Sequence, residues 1–330
     1  MWQLAVDEPA PFELLSPRSL DEAVELAARH GADCALMAGG SDLLDQLKQH
    51  RRTPRYVVNL KTIPGLRALT VAGDRISIGA LTTLGELERN EELTRLCRAL
   101  GLAASRVATP QIRNVGTLGG NLLQDSRCPY YRGPWYCYRA GGIQCDARHG
   151  VNQEHAIFGG NRCYTVSPSD TAPALIALGA TATIHGTTPR QVAVEDLFMP
   201  PGEDITVMHR VTHGQILSEV TVPVRSGVRS TFIKYAMRHS WDFAIASTAV
   251  ALRVDNGVAH DVRIVLGGVA PTPWRNADAE QEVEGKRLDQ TTIESAARAA
   301  ITRARPLAQN EYKVALVKKL VRTALMELAQ

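Results

Sequence analysis

Six cysteines punctuate the 330-residue chain, at positions 34, 97, 128, 137, 145 and 163, and their distribution carries more chemistry than their number. Cys34 lies in the apolar run CALMA and Cys97 in the helical-looking ELTRLCRALGLAA, so both read as small buried core residues. The other four, Cys128-x8-Cys137-x7-Cys145-x17-Cys163, share one segment rich in Gly, Pro, Tyr and Trp, with neither helical nor strand periodicity. Local propensity cannot hold such a segment in shape, so something else must order it. Disulfides suit a secreted chain, and zinc sites usually pair their ligands as CxxC or HxxxH. Four thiolates around an iron-sulfur cluster tolerate irregular spacing when a loop wraps the cluster, and flanking aromatics shield it from solvent. Spacing alone leaves the three readings open. His149 and His155 lie in the same loop and are candidates to replace a thiolate or to flank the site.

Two glycine loops form the second constellation. Ala38-Gly39-Gly40-Ser41-Asp42-Leu43 and Gly116-Thr117-Leu118-Gly119-Gly120-Asn121 each place paired glycines in a turn. Glycines let backbone amides approach a phosphate closely, and a following helix N-terminus adds favourable partial charge. Ser41 and Thr117 offer hydroxyl donors. Neither loop is a GxGxxG fingerprint or a Walker loop, and each alone is also explained by a plain turn. Together they suit a pyrophosphate clasped from two sides, that is, a dinucleotide bound outside the Rossmann pattern.

The elements that must position these residues are marked in the sequence. Ser19-Leu-Asp-Glu22 has capping-box spacing before an apolar-periodic stretch that ends at Gly31. The run Cys34 to Ala38, the glycine turn and LLDQLKQH read as strand, turn and helix. Tyr56 to Leu60 and Arg75 to Ile78 read as strands, Thr83-Leu-Gly-Glu86 as a second capping box, and Glu92 to Ala104 as one helix. Thr109 to Gln124 reads as a glycine-rich connection. Ser169 to Leu178 reads as a helix and Thr181 to His185 as a strand. Breaks follow at Pro200-Pro201-Gly202 and from Pro223 to Gly227, with a strand-like return from His213 to Val222 between them. TFIKYAM, STAVALRVD and VRIVLGGVA read as strands, and Thr292 to Arg303 and Glu311 to Leu328 as helices. In the last helix Val314, Val317, Val321, Ala324 and Leu328 form one apolar stripe.

Composition bounds the function. With 45% hydrophobic and 22% charged residues the chain has the make-up of an ordinary globular protein, long enough for two or three domains. Lys+Arg 37 against Asp+Glu 34 gives only +3, and the one basic cluster, Lys48 to Arg55, lacks interleaved aromatics and reads as a solvated helix end. Neither a nucleic-acid nor an anionic-membrane partner is expected. The longest uncharged apolar stretch, Thr171 to Ile184, falls short of the about 20 residues a membrane span needs. The N-terminus MWQLAVDEPAPFELL has no basic n-region before an apolar core. A cytoplasmic location is expected, or a periplasmic one if a partner's signal exports the assembled complex.

At this point the residues carry a family resemblance. AGGSDLLDQLK followed by VATPQIRNVGTLGGNLLQ resembles the two FAD-pyrophosphate loops of the medium, flavin-binding subunit of molybdenum hydroxylases, the xanthine dehydrogenase, aldehyde oxidase and carbon monoxide dehydrogenase family. The likeness continues in order through IGALTTLGEL, SPSDTAPALIALGA, ILSEVTVP, FIKYAMRHSWDFAIAS and LGGVAPTPWR. It implies an α+β fold: a two-lobed FAD-binding domain of the vanillyl-alcohol oxidase type plus a smaller C-terminal α+β domain. The expected limits are 1–60 for the first lobe, 61–225 for the second, with an insertion at 125–165, and 226–330 for the last domain.

The resemblance places Leu36, Met37, Ala38, Gly39, Gly40, Ser41, Asp42 and Leu43, with Gly116, Thr117, Gly119, Gly120 and Asn121, on the FAD diphosphate and ribose. It places Asp170 near the adenosine side and Lys234 close to the flavin site. Ile216 or Leu217 is expected to pack against FAD, and Trp241, beside Asp242 in HSWDFA, to cover a flavin face. Core packing or a surface ion pair is the plainer alternative for these. The cysteine segment is similar to that of flavin subunits in 4-hydroxybenzoyl-CoA reductase and a bacterial periplasmic aldehyde oxidoreductase, with RCPYY and NRCYTVSPSD nearest the latter. This implies a 4Fe-4S cluster on Cys128, Cys137, Cys145 and Cys163. The chain would then relay electrons. A small subunit with two 2Fe-2S clusters would feed its FAD from a large molybdenum-pterin subunit, which would oxidise an aldehyde or N-heterocycle or reduce an aromatic thioester. Ferredoxin, a quinone or oxygen would be the external acceptor. No catalytic acid, base or nucleophile is expected here. The rivals are a self-contained FAD oxidoreductase of the same fold, and a binding module braced by zinc.

Overall fold

The structure, a computed structural model, describes residues 8–330. The start of the expected first lobe and half of the N-terminal stretch discussed above therefore lie outside the described residues.

The chain opens with a small parallel sheet. Strand Tyr56–Asn59 sits between Glu13–Leu15 and Cys34–Met37, in register Cys34 with Tyr56 and Met37 with Asn59. Parallel neighbours need a crossover, and helix Leu20–His30 supplies it. Ser19 caps that helix, its Oγ accepting from the Glu22 amide at 3.1 Å, while the Glu22 carboxylate reaches back one residue further than a capping box, to the Arg18 amide. Gly31, at φ 52, ends it. Side chains alternate along Cys34–Met37, so Cys34 and Leu36 pack with Ala23, Ala27 and Val58. Ala35 and Met37 face the other way, onto Leu43, Leu47 and Val57.

The second lobe is an antiparallel five-stranded sheet in the order Leu69–Ala72, Arg75–Gly79, Ile216–Pro223, Thr181–His185, Arg190–Ala193. Helices Leu84–Arg89, Arg98–Ser105 and Thr171–Leu178 bury their apolar faces with Ile76, Ile78, Val220 and Val222. The capping box at Thr83 is complete, with Glu86 and Thr83 each holding the other's backbone amide. The single helix expected from Glu92 to Ala104 is instead two, Glu91–Leu96 and Arg98–Ser105, broken at Cys97 with φ −133 and ψ 60. The break has a tertiary cause: the Ala99 amide, in the first turn of the second helix, donates to Ser230 Oγ at 3.1 Å on a distant strand. Cys97 stays buried, its thiol pushed up to about 11 by burial.

The last third folds as a four-stranded antiparallel sheet, Val228–Tyr235, Ala246–Asp255, Val258–Gly267 and the short Trp274–Arg275, backed by helices Ala277–Val283, Gln290–Ala299 and Tyr312–Leu328. The expected stripe of the final helix packs inward at Val317, Val321, Ala324 and Leu328, with Leu320 and Leu325 added and Val314 only half-buried. Lys313 is fully buried on the same helix. No helix among the described residues is long and apolar enough to cross a membrane.

Candidate functional site

The two glycine loops meet. A Cβ on Gly39 would lie 2.0 Å from the Val115 carbonyl oxygen and 3.2 Å from Gly116 Cα, so the turn presses its backbone onto the second loop. Gly40 adopts φ +84, a conformation glycine takes without steric cost. In the second loop Thr117 Oγ1 accepts from the Gly120 amide at 3.1 Å, and Gly119 lies against Ala80 closely enough that its Cβ would be 2.9 Å from that residue's own. The result is a floor where main chain of the two loops packs together; in the second loop the amides of Gly116, Leu118, Gly119, Gly120 and Asn121 are all bonded within the protein.

Above this floor opens a cleft of about 1030 Å³. Leu36, Ala38 to Leu43, Gly116, Thr117, Gly119, Gly120, Asn121, Ile216 and Leu217 all line it. Of the residues singled out from the sequence, Met37 does not, because strand alternation turns it beneath the loop. Asp170 and Lys234 do not line it either: they form a buried ion pair at 2.6 Å, and Lys234 Nζ also donates to the Arg106 carbonyl oxygen at 2.9 Å. The Asn121 side chain accepts from Ser169 Oγ and from Thr171 Oγ1, both at 2.7 Å.

The rest of the cleft lining carries no sequence signal. It includes residues 206–212, read only as the stretch between two breaks, and 213–215, read as the start of a strand that begins instead at Ile216, together with Val107, Ala108, Ile112 and Phe243. Burial holds His209 in this lining below its ordinary pKa, and its Nδ1 has no hydrogen-bond partner among the described residues. No motif or periodicity in the stretch would have flagged it. Trp241 stands at the cleft, 59% exposed, in the left-handed region at φ 73. Asp242 beside it pairs with Arg238.

The four clustered cysteines are all free thiols, held by short turns at Pro129–Arg132, Tyr138–Ala140 and Asp146–Arg148. Burial pushes the Cys128 thiol up to about 12, and raises Cys137 and Cys145 as well. Cys137 and Cys163 add to the rise at both Cys128 and Cys145. Among the described residues no three His, Cys, Asp or Glu side chains converge as closely as a single metal ion requires. His155 Nε2 lies 3.3 Å from Cys128 Sγ, and burial followed by the charge of Lys313 pulls this imidazole down to about 4. His149 is exposed. Lys313 fastens the segment to the C-terminal helix, donating to the carbonyl oxygens of Glu154, His155 and Gly268 at 2.7, 3.1 and 2.9 Å.

Known proteins match the chain over most of its length. Residues 10–225 match the family model "FAD binding domain in molybdopterin dehydrogenase", and residues 231–328 match the "CO dehydrogenase flavoprotein C-terminal domain". The aldehyde oxidoreductase FAD-binding subunit PaoB of Escherichia coli is 32% identical over 92% of this chain and 93% of its own length. The carbon monoxide dehydrogenase medium chain of Hydrogenophaga pseudoflava is 28% identical over 96% of each. A solved structure of carbon monoxide dehydrogenase from the same organism superposes with a TM-score of 0.77 at 27% identity, covering 97% of this chain and 98% of the other. A second, from Oligotropha carboxidovorans, gives 0.79 at 24% identity over 98% and 99%, a likeness of fold. With a mixed α/β FAD-binding domain, the C-terminal flavoprotein domain and relatives that match end to end, the chain belongs to the FAD-binding medium subunits of the molybdenum hydroxylase family.

Proposed function

We propose that this oxidoreductase subunit relays electrons through an FAD in the main-chain-floored cleft and a 4Fe-4S cluster in the cysteine segment. One observation carries the flavin half: the contact between Gly39 and the Val115–Gly116 backbone, which brings the two glycine turns to one point at the cleft, close enough for one diphosphate to touch both. Residues 38–43 and 116–121 bind that diphosphate and its ribose. Leu217 and Ile216 pack against the cofactor and exclude water, and Trp241 closes the outer side. Asp170 and Lys234 act from behind the cleft, holding strand Val228–Tyr235 against the start of helix Thr171–Leu178. Met37 supports the turn from below.

Cys128, Cys137, Cys145 and Cys163 are the proposed cluster ligands. An all-thiolate set is the donor chemistry such a cluster takes. A single tetrahedral ion at Zn–S about 2.3 Å would need its sulfurs about 3.8 Å apart, whereas a cluster spreads them over four irons. Four free thiols in one segment, no three of which converge among the described residues, suit the second case.

Bound FAD supplies exchange between two-electron and one-electron transfer. The chain's residues bind, orient and shield, and none is assigned as acid, base or nucleophile toward an organic substrate. That chemistry belongs to a large molybdenum-pterin subunit, with a small 2Fe-2S subunit between the two sites and ferredoxin, a quinone or oxygen beyond them. Aldehyde or N-heterocycle oxidation is the proposed overall reaction, supported by the aldehyde oxidoreductase relative. Iron, zinc, acid-labile sulfide and flavin, measured per chain on anaerobically purified protein, test the reading. About four irons and four sulfides with one FAD are expected. Zinc without flavin would overturn it, as would steady turnover of an aldehyde or purine by the isolated chain.

A further inference from the structure

Asp42 closes the glycine turn and stands at the N-cap of helix Leu43–Lys48, yet its side chain makes no capping bond. An aspartate in that position ordinarily accepts from the first helical amides. Here the carboxylate is committed elsewhere. Oδ2 accepts from the Asp125 backbone amide at 2.8 Å and from Gln46 Nε2 at 2.8 Å. Oδ1 accepts from the guanidinium groups of Arg132 and Arg127, each at 2.9 Å. Three of these four donors come from the start of the cysteine segment, more than 80 residues along the chain.

The connection runs on to a proposed cluster ligand. Arg132, with a side chain only 8% exposed, also donates from Nε to the Ser126 carbonyl oxygen at 2.7 Å. Ser126 Oγ accepts from the Cys128 amide at 3.2 Å. Asp125, whose amide Asp42 holds, accepts from Tyr131 at 2.7 Å. One carboxylate thus spans the glycine turn that lines the cleft and the backbone that presents Cys128. Removing it would leave the buried Arg132 guanidinium with only its longer carboxylate contact, to Asp45 Oδ2 at 3.4 Å.

We propose that Asp42 couples the two cofactor sites, so that ordering the cysteine segment around its cluster preorganises the diphosphate-binding turn, and bound FAD protects the cluster in return. This rests on the two-cofactor reading above. Coupling of this kind is reciprocal, so a single factor must appear in both directions.

The experiment uses the full chain purified anaerobically. FAD is titrated into deflavinated protein, once with the cluster intact and once after iron has been removed by a chelator. Roughly tenfold weaker FAD binding is expected without the cluster, and cluster loss to the chelator should quicken on deflavination. In Asp42→Asn, which keeps the shape and an acceptor oxygen but not the charge, FAD affinity should be the same with and without the cluster. Arg132→Gln approaches from the other side and lies off the cleft, so it should abolish the coupling too, and it carries the test if the Asp42 variant does not fold. Protein with both groups at full occupancy but equal FAD affinity in the two states would overturn this inference and leave the proposed function standing. Coupling that persists undiminished in both variants would also overturn it. Flavin without iron would end the cluster reading and this inference together.

Discussion

The Trp241 amide donates to the Ala108 carbonyl oxygen at 2.8 Å, and both residues occupy the left-handed backbone region, at φ 73 and φ 41. Non-glycine residues rarely sit there, and each such residue costs on the order of 1–2 kcal/mol. The surrounding structure must over-determine both, and this bond ties the loop that carries the indole to the cleft wall. Trp241→Gly keeps the amide and relieves the strain. Its denaturation midpoint should stay level or rise, while a collisional quencher should reach the bound flavin more easily. A loss of more than about 1 kcal/mol would show that the indole itself holds the loop.

Gly39→Ala tests the meeting of the loops. The added methyl would fall on the Val115 carbonyl oxygen, backbone against backbone, so the turn must move. FAD content at equal protein concentration should drop at least about tenfold, since a displacement of about 1 Å disrupts every amide contact. Gly65→Ala is the control: that site has φ +82 but open space around it, so it should cost about 1 kcal/mol of stability and leave flavin content alone.

The Lys234–Asp170 pair should be worth far more to break than to replace. Lys234→Met leaves a buried carboxylate alone and is expected to cost about 3–5 kcal/mol in urea denaturation. Asp170→Asn together with Lys234→Met should recover most of it. A double variant no better than the single one would mean that the lysine's bond to the Arg106 carbonyl oxygen, not the ion pair, holds the strand.

Lys313 should make stability rise with pH. Burial lowers its pKa from 10.5 to about 7, with the Glu154 carboxylate opposing the shift. Below about 7 the ammonium is present in both folded and unfolded chains, and the burial penalty is felt in full. Between about 7 and 10.5 the unfolded chain binds the extra proton, so stability grows with pH, by an amount on the order of a few kcal/mol. Denaturation midpoints at pH 7, 8.5 and 10 should show the wild type gaining on Lys313→Met. An equal pH slope in both proteins would place the lysine's charge elsewhere than in this buried site.

Much of the scaffold is legible where one local rule decides it. Thr83 and Glu86 form their box because cap and acceptor lie three residues apart, and Gly31 ends its helix because it tolerates φ 52. The glycine turns are legible for the same reason. The break at Cys97 is not, since its cause is Ser230, far away in sequence. Met37 looks like a member of its loop until the pleat turns it under. The wall at 206–215 has no residue type that announces a ligand, and the buried lysine at 313 interrupts a stripe that periodicity treats as apolar. Local signals write the turns, while the cleft is completed by surfaces that meet only after folding.

Asn121 sits just before the cysteine segment, and Ser169 and Thr171 just after it. One amide oxygen accepts from both hydroxyls, so the chain's departure and return lie a hydrogen bond apart. A stretch whose two ends are already stitched together can be gained or lost without moving the chain on either side of it, at the cost of new partners for Lys313 and Asp42. The cysteine segment therefore has the anatomy of a detachable cassette, and a short linker from residue 124 to 166 would be the natural scar of its removal.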